Sequence, residues 1–149
     1  MGLEESMAYA LATWARFDEA VTDDLLRAVC AAFVIVATAD GIVSDSEITH
    51  FLDVIRDRAD AFPHLDLEAV ERQFRDLSMA VLTDPEGGRR HALAEIALVK
   101  EQPRQRDLVQ SAAQIAIMAD RRVERSEEAV MGEICKALGM EGPNSPPGL

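Results

Sequence analysis

Residues 33–55 read FVIVATADGIVSDSEITHFLDVI, and residues 113–135, AQIAIMADRRVERSEEAVMGEIC, repeat this pattern 80 positions later. Six positions are identical: Ile35, Ala39, Asp40, Val43, Ser46 and Glu47 match Ile115, Ala119, Asp120, Val123, Ser126 and Glu127. Each copy contains an apolar helix, an Ala-Asp turn, a single valine and a helix that opens with glutamate. The repeat predicts two helical hairpins in pseudo-symmetric positions.

Apolar residues recur at helical spacing along nearly the whole chain, and no convincing strand alternation is present. The pattern predicts helices over 3–16, 23–38, 103–119 and 126–138, and Gly139 ends the last of these. A third helix runs from residue 44 to just before Pro63, and a fourth begins at Asp66. A fifth begins at Pro85 or only after Gly87-Gly88. The second helix is apolar on most sides and should be the buried central one. The sequence therefore predicts an all-α fold, a single compact bundle of about seven helices over residues 1–140. Residues 141–149 hold three prolines and two glycines, so a disordered tail is expected there.

The chain is acidic, with a net charge of −12. Such a field repels phosphate backbones, so no nucleic-acid partner is expected, whereas cations and basic proteins are attracted. Solubility alone is an alternative reason for the charge. No segment approaches the roughly 20 apolar residues of a membrane span, and acids stand where a signal peptide would be basic. We therefore expect a cytoplasmic protein that is not itself transmembrane; the sequence leaves its oligomeric state open.

The carboxylates of the repeated turn are the candidate metal ligands: Asp40, Glu47, Asp120 and Glu127. Hard oxygen ligands of this kind suit calcium, magnesium or manganese. If the two hairpins pack about a pseudo-twofold axis, the four carboxylates would converge. Their mutual repulsion would then favour a bound divalent cation.

The first copy also has a purely structural interpretation. Asp40-Gly41 is ordinary turn chemistry, and the segment from Ser44 to Glu47 fits a capping box, in which Glu47 folds back onto the N-cap amide. An EF-hand calcium loop is not expected. With Gly41 as its sixth residue, the first ligand position would fall on Val36, whose side chain cannot bind calcium.

The second copy differs in both respects. Arg121 and Arg122 replace the Gly-Ile pair, and Glu124 replaces the capping serine. Capping therefore explains Glu127 less well than Glu47. Glu127 is either a metal ligand or an ion-pair partner of these arginines.

Catalytic and cofactor motifs are not evident in the sequence. There is no P-loop, dinucleotide fingerprint or arrangement typical of a Ser or Cys nucleophile. Cys30 and Cys135 lie in apolar helical patterns and are expected to be buried, reduced and inert. We expect no catalytic residue and no enzymatic activity.

The ATADG turn at 37–41, the helix that opens with Glu47, their repetition near the C-terminus and the closing ALGM at 137–140 resemble the tellurite-resistance TerB family. The resemblance covers about residues 24–140 and includes the middle segment EGGRRHALAEIALVKEQP at 86–103. It implies a compact bundle of about seven helices that acts in tellurite resistance and stress response. It also implies work beside a TerC-type membrane protein and metal-binding TerD-type proteins.

Two functions are consistent with these features. The first is a non-enzymatic tellurite-resistance and stress-response module that binds a divalent cation or a partner protein through its acidic helix-turn sites. The alternative is a metal-free protein-interaction scaffold that docks a basic or membrane-associated partner. Either would allow peripheral association with the inner membrane through that partner.

Overall fold

The computed structural model describes residues 3–17, 19–39, 44–62, 64–119 and 127–140, with the side chains of its first helix from Met7 and of its last from Ala129. The helices are α1 (Leu3–Arg16), α2 (Asp23–Ala37), α3 (Asp45–Asp57), α4 (Leu67–Thr83), α5 (Pro85–Ile96), α6 (Pro103–Ala119) and α7 (Glu127–Ala137). Short 3-10 turns at Ala59–Ala61 and Ala97–Val99 follow α3 and α5. No strand occurs in these ranges, and the predicted all-α bundle is confirmed.

Local side-chain chemistry sets the helix starts. Asp66 precedes α4, and its carboxylate accepts from two backbone N–H groups of the first turn. Asp84 caps α5 by accepting from a single backbone N–H, that of Gly87, at 3.1 Å. Because Pro85 needs no hydrogen-bond acceptor and already has a helical φ, α5 begins there and not after the two glycines.

The helix ends differ slightly from the prediction. α2 ends at Ala37, with Thr38 as its C-cap. α3 ends at Asp57, and a 3-10 turn carries the chain on towards Pro63. Gly139 follows α7 with a φ of +72°, the left-handed conformation that favours glycine at a helix C-terminus. The predicted tail at 141–149 lies outside the described residues.

The central helix is α2, as its composition predicts. Every side chain from Ala28 to Val36 is buried, and α2 contacts α3, α4, α5, α6 and α7. Phe33 of α2 packs edge to face against Phe51 and Phe62, and Phe51 stacks on Phe74. This core fixes the positions of the helix ends from which the predicted site is built.

The internal repeat extends beyond the two hairpins to three helices per copy. α2 and α6 begin at residues 23 and 103, while α1 and α5 end at 16 and 96. α3 and α7 end at 57 and 137, so the same offset relates all three pairs and α4 lies between the copies. The packing is reciprocal: α1 packs on α6, α5 packs on α2, and α2 packs on α6.

Candidate functional site

The helices α2 and α6 begin at the same end of the bundle. Arg104, near the start of α6, pairs with Glu19 at 2.8 Å, just past the end of α1. Further along α6 and further back in α1, the indole N–H of Trp14 donates to the carbonyl of Leu108 at 3.0 Å. α1 therefore runs antiparallel to α6. α2 starts four residues after Glu19, so it runs parallel to α6.

The opposite end of the bundle contains the ends of both helices. Arg89, early in α5, contacts Thr38, while Glu95, late in α5, acts electrostatically on Cys30. α5 is therefore antiparallel to α2. Gln110 of α6 donates to Cys135 of α7, and the two residues lie about equally far from the connecting segment, so these helices are also antiparallel.

We call this second end the turn end. It holds the C-terminal ends of α2, α4 and α6 and the N-terminal ends of α3, α5 and α7. Three helix C-termini and three N-termini carry opposite partial charges, so their dipoles largely offset one another. The side chains therefore decide the local charge. In the sequence, Asp40 comes three residues after the end of α2 at Ala37, and Asp120 directly follows the end of α6.

Glu47 has the capping geometry expected from the sequence. The N–H of Glu47 donates to the hydroxyl of Ser44 at 3.3 Å, and the N–H of Ser44 donates to Oε1 of Glu47 at 3.3 Å. The Ser44 hydroxyl also lies 3.1 Å from the same Oε1. The capping box is thus confirmed. Since a carboxylate has two oxygens and about four lone pairs, capping and metal ligation are chemically compatible roles.

The other three predicted ligands cannot be compared in the same way. Asp40 and Asp120 lie outside the described residues, and Glu127 begins α7 without a described side chain. Convergence of the four carboxylates stays a prediction. Within the described ranges, no group of three or more His, Cys, Asp or Glu side chains is arranged to hold a metal ion.

An arginine bridge joins the two copies of the repeat at the turn end. Nη2 of Arg89 lies 2.9 Å and 2.8 Å from the two carboxylate oxygens of Glu133 in α7. Nη1 donates to the hydroxyl of Thr38 at 2.8 Å and reaches the Thr38 carbonyl at 3.5 Å. Charge-assisted hydrogen bonds of this kind are shorter and stronger than neutral ones, although here one nitrogen faces both carboxylate oxygens. Arg89 therefore ties the end of α2 to α7.

Sequence reasoning did not identify this bridge. Thr38 and Glu133 lie 51 and 44 residues from Arg89, so no local pattern pairs them. One indirect signal exists: Glu133 in the second copy corresponds to Asp53 in the first, so this position is acidic in both copies. The partner arginine, however, is not repeated, because the residue at the corresponding position of α1 is Tyr9.

Both cysteines are buried, as expected. Burial raises the pKa of the Cys30 thiol to about 12, and the negative charge of Glu95 adds to this effect. Burial also raises the pKa of Cys135, and the hydrogen bond from Gln110 acts in the opposite direction. Thiolate chemistry at neutral pH is therefore suppressed at both positions.

None of the helices in the described part of the chain combines the length and hydrophobicity that a membrane span requires. The protein is thus an all-helical repeat bundle: two three-helix copies pack reciprocally, and the sequence of each contains an acidic turn. The chain belongs to the family of tellurite resistance protein TerB, whose model matches residues 26–144 and so spans both turns. The resemblance predicted from the sequence is confirmed, and the chain is a tellurite-resistance-related module. No curated protein and no solved structure matched it.

Proposed function

We propose that this TerB-family chain is a non-enzymatic stress-response module that binds a divalent cation, or a partner protein, at the turn end. One observation carries the proposal: α2 and α6 run parallel, and each is followed in sequence by an aspartate. Glu47 and Glu127 then open the next helices. In the proposed arrangement the four carboxylates repel one another, the more so in a chain with a net charge of −12, and a cation relieves that repulsion.

The chemistry of the donors favours calcium, magnesium or manganese. Carboxylate oxygens are hard ligands that suit these ions better than soft metals. Both cysteines are buried, so thiol ligation is not part of the proposal.

Cation binding is tested by titrating protein stripped with chelator with MgCl2, CaCl2 and MnCl2, using calorimetry and thermal melting. A ligand that binds only the folded state stabilises it by about 2.7 kcal/mol at 100 times its Kd. We therefore expect both heat and a rise in Tm for at least one ion. No heat and no rise for any of the three ions contradicts cation binding.

Variants assign the ligands. Asp40→Asn and Asp120→Asn should each abolish the heat while leaving the helical content unchanged. Glu47→Gln should weaken cation binding without loss of stability, because glutamine also fits the capping box. Asp107→Asn removes the same charge from an exposed acid near the start of α6, at the end opposite the turn end, and is the matched control. Equal weakening by Asp107→Asn would show a general charge effect instead of a site.

The alternative function is a metal-free scaffold that docks a basic or membrane-associated partner. Asp57, the last residue of α3, and Asp60, in the 3-10 turn that follows, are exposed. Asp53 is also exposed and forms an ion pair with Arg56 at 3.5 Å. The exposed Arg56 and Arg58 lie among these aspartates, and this surface is separate from the turn residues. Reversal of all three aspartates to lysine should abolish capture of a purified TerC-type membrane protein or TerD-type protein. Unchanged capture contradicts docking through this surface.

A further inference from the structure

We infer that Arg89 is a positioning residue: by tying the end of α2 to α7, it sets the relative position of the helix ends next to which the two acidic turns lie in sequence. Its guanidinium joins Thr38, two residues before Asp40, to Glu133, six residues after Glu127. Six residues of helix span only about 9 Å, so both attachment points lie close to the turns. The inference rests on the proposed function for its ligand, but it concerns a bridge that the proposed function does not use.

The bridge is held most firmly at its Thr38 end. The Thr38 side chain is only 2% exposed, and its hydroxyl donates to the Val34 carbonyl at 2.7 Å while it accepts from Arg89. The orientation of that hydroxyl is therefore fixed from both sides. At the other end, both oxygens of Glu133 are engaged by one nitrogen of Arg89. The Arg89 side chain is 26% exposed and that of Glu133 is 41% exposed, so water reaches the ion pair from the Glu133 side.

A matched ion pair lies at the opposite end of the bundle. Arg104 contacts Glu19 through one oxygen at 2.8 Å, and both side chains are more than 60% exposed. Exposed pairs of this kind contribute little to stability. Arg104 therefore provides a control with the same charge and no role at the turn end.

The charge of Arg89 and its positioning role predict opposite changes in cation affinity when the residue is replaced. As a positive charge near the turn end, Arg89 repels a cation, so its removal would raise cation affinity. As a positioning residue, Arg89 fixes the relative position of the helix ends that carry the proposed ligands, so its removal lowers cation affinity. Groups that hydrogen-bond directly to metal ligands change affinity by about 10- to 100-fold when mutated, and Arg89, which acts one contact further away, should lie at the lower end of this range.

The experiment measures MnCl2 affinity by calorimetry on the full chain and its variants after chelator treatment. We expect Arg89→Gln to weaken binding by about 10-fold or more. Thr38→Val, which changes no charge, should weaken binding in the same direction, and Arg104→Gln should leave it unchanged or slightly stronger. Unchanged or tighter binding in Arg89→Gln overturns the inference.

Hydrogen exchange separates this inference from the proposed function. Arg89→Gln should speed amide exchange in α7 and in the last turn of α2, while exchange in α1 and α4 stays at the wild-type rate. If the wild-type chain binds no manganese, the cation site is rejected, but this local change still supports Arg89 as the connection between the copies. Exchange unchanged in α7, or accelerated equally throughout, overturns the inference in either case.

Discussion

Gly88 of α5 lies directly against the backbone of Val81 in α4: a β-carbon at Gly88 would stand 2.6 Å from the Cα of Val81 and 2.7 Å from its nitrogen. Real β-carbons do not approach other atoms so closely, so the absence of a side chain permits this helix contact. Gly88 is therefore needed for close packing and not for chain flexibility. It immediately precedes Arg89, so the same contact fixes where the arginine bridge begins.

Gly88→Ala should lower the free energy of unfolding by about 1–3 kcal/mol, because α4 and α5 must separate to make room. The direction of this change is informative, because alanine at an ordinary helix position stabilises the helix by about 1 kcal/mol relative to glycine. Urea unfolding measures the change. Gly132→Ala in α7, where nothing lies within 4 Å of the added carbon, should instead stabilise the protein by up to about 1 kcal/mol. Equal effects of the two variants would contradict this explanation.

The capping box of α3 gives a second prediction. Ser44→Ala removes the acceptor of the Glu47 N–H and should cost about 1 kcal/mol in stability. Glu47→Gln should cost much less, since glutamine can still accept from the Ser44 N–H. Thermal melting compares the two variants. A larger loss for Glu47→Gln than for Ser44→Ala would show that the charge of Glu47 stabilises the fold beyond capping.

Ser78 of α4 gives a third prediction. Its side chain is fully buried, and its hydroxyl has no hydrogen-bond partner in the described part of the chain. An unsatisfied buried polar group costs about 1–3 kcal/mol, so Ser78→Ala should leave stability unchanged or raise it by up to about 1 kcal/mol. Thr38→Val, which removes a hydroxyl that has two partners, should lower stability in the same urea assay. A clear loss in Ser78→Ala would indicate a partner for its hydroxyl.

The cysteines give a fourth prediction. Because burial raises the pKa of Cys30 to about 12 and also raises that of Cys135, neither thiol ionises appreciably at pH 8 in the folded state. The native protein should therefore react with Ellman's reagent only slowly, whereas protein unfolded in guanidinium should release two equivalents at once. Cys135→Ala should reduce this total to one. Fast reaction of the native protein would contradict burial as the controlling factor.

Much of the fold follows from local chemistry, which explains why it could be predicted from the sequence. Asp66 and Asp84 cap helices through N–H groups two or three residues away, and Gly139 ends α7 by its own conformation. The central position of α2 follows from its all-round apolar surface. Such features need no knowledge of the rest of the molecule.

The reciprocal packing and the arginine bridge could not be predicted in this way. Trp14 meets Leu108 across 94 residues, and Arg89 meets Glu133 across 44. These contacts depend on how the two copies pack together, which the repeat suggests but does not specify. Of the candidate site, the sequence correctly predicts the capping role of Glu47, while ligation by the four carboxylates stays a prediction.

The reciprocal packing of α1 on α6 and of α5 on α2 has a consequence for how the chain folds. A single three-helix copy would leave its second helix without the cover that the other copy supplies. Neither copy is therefore a folding unit by itself, and the two must acquire their structure together.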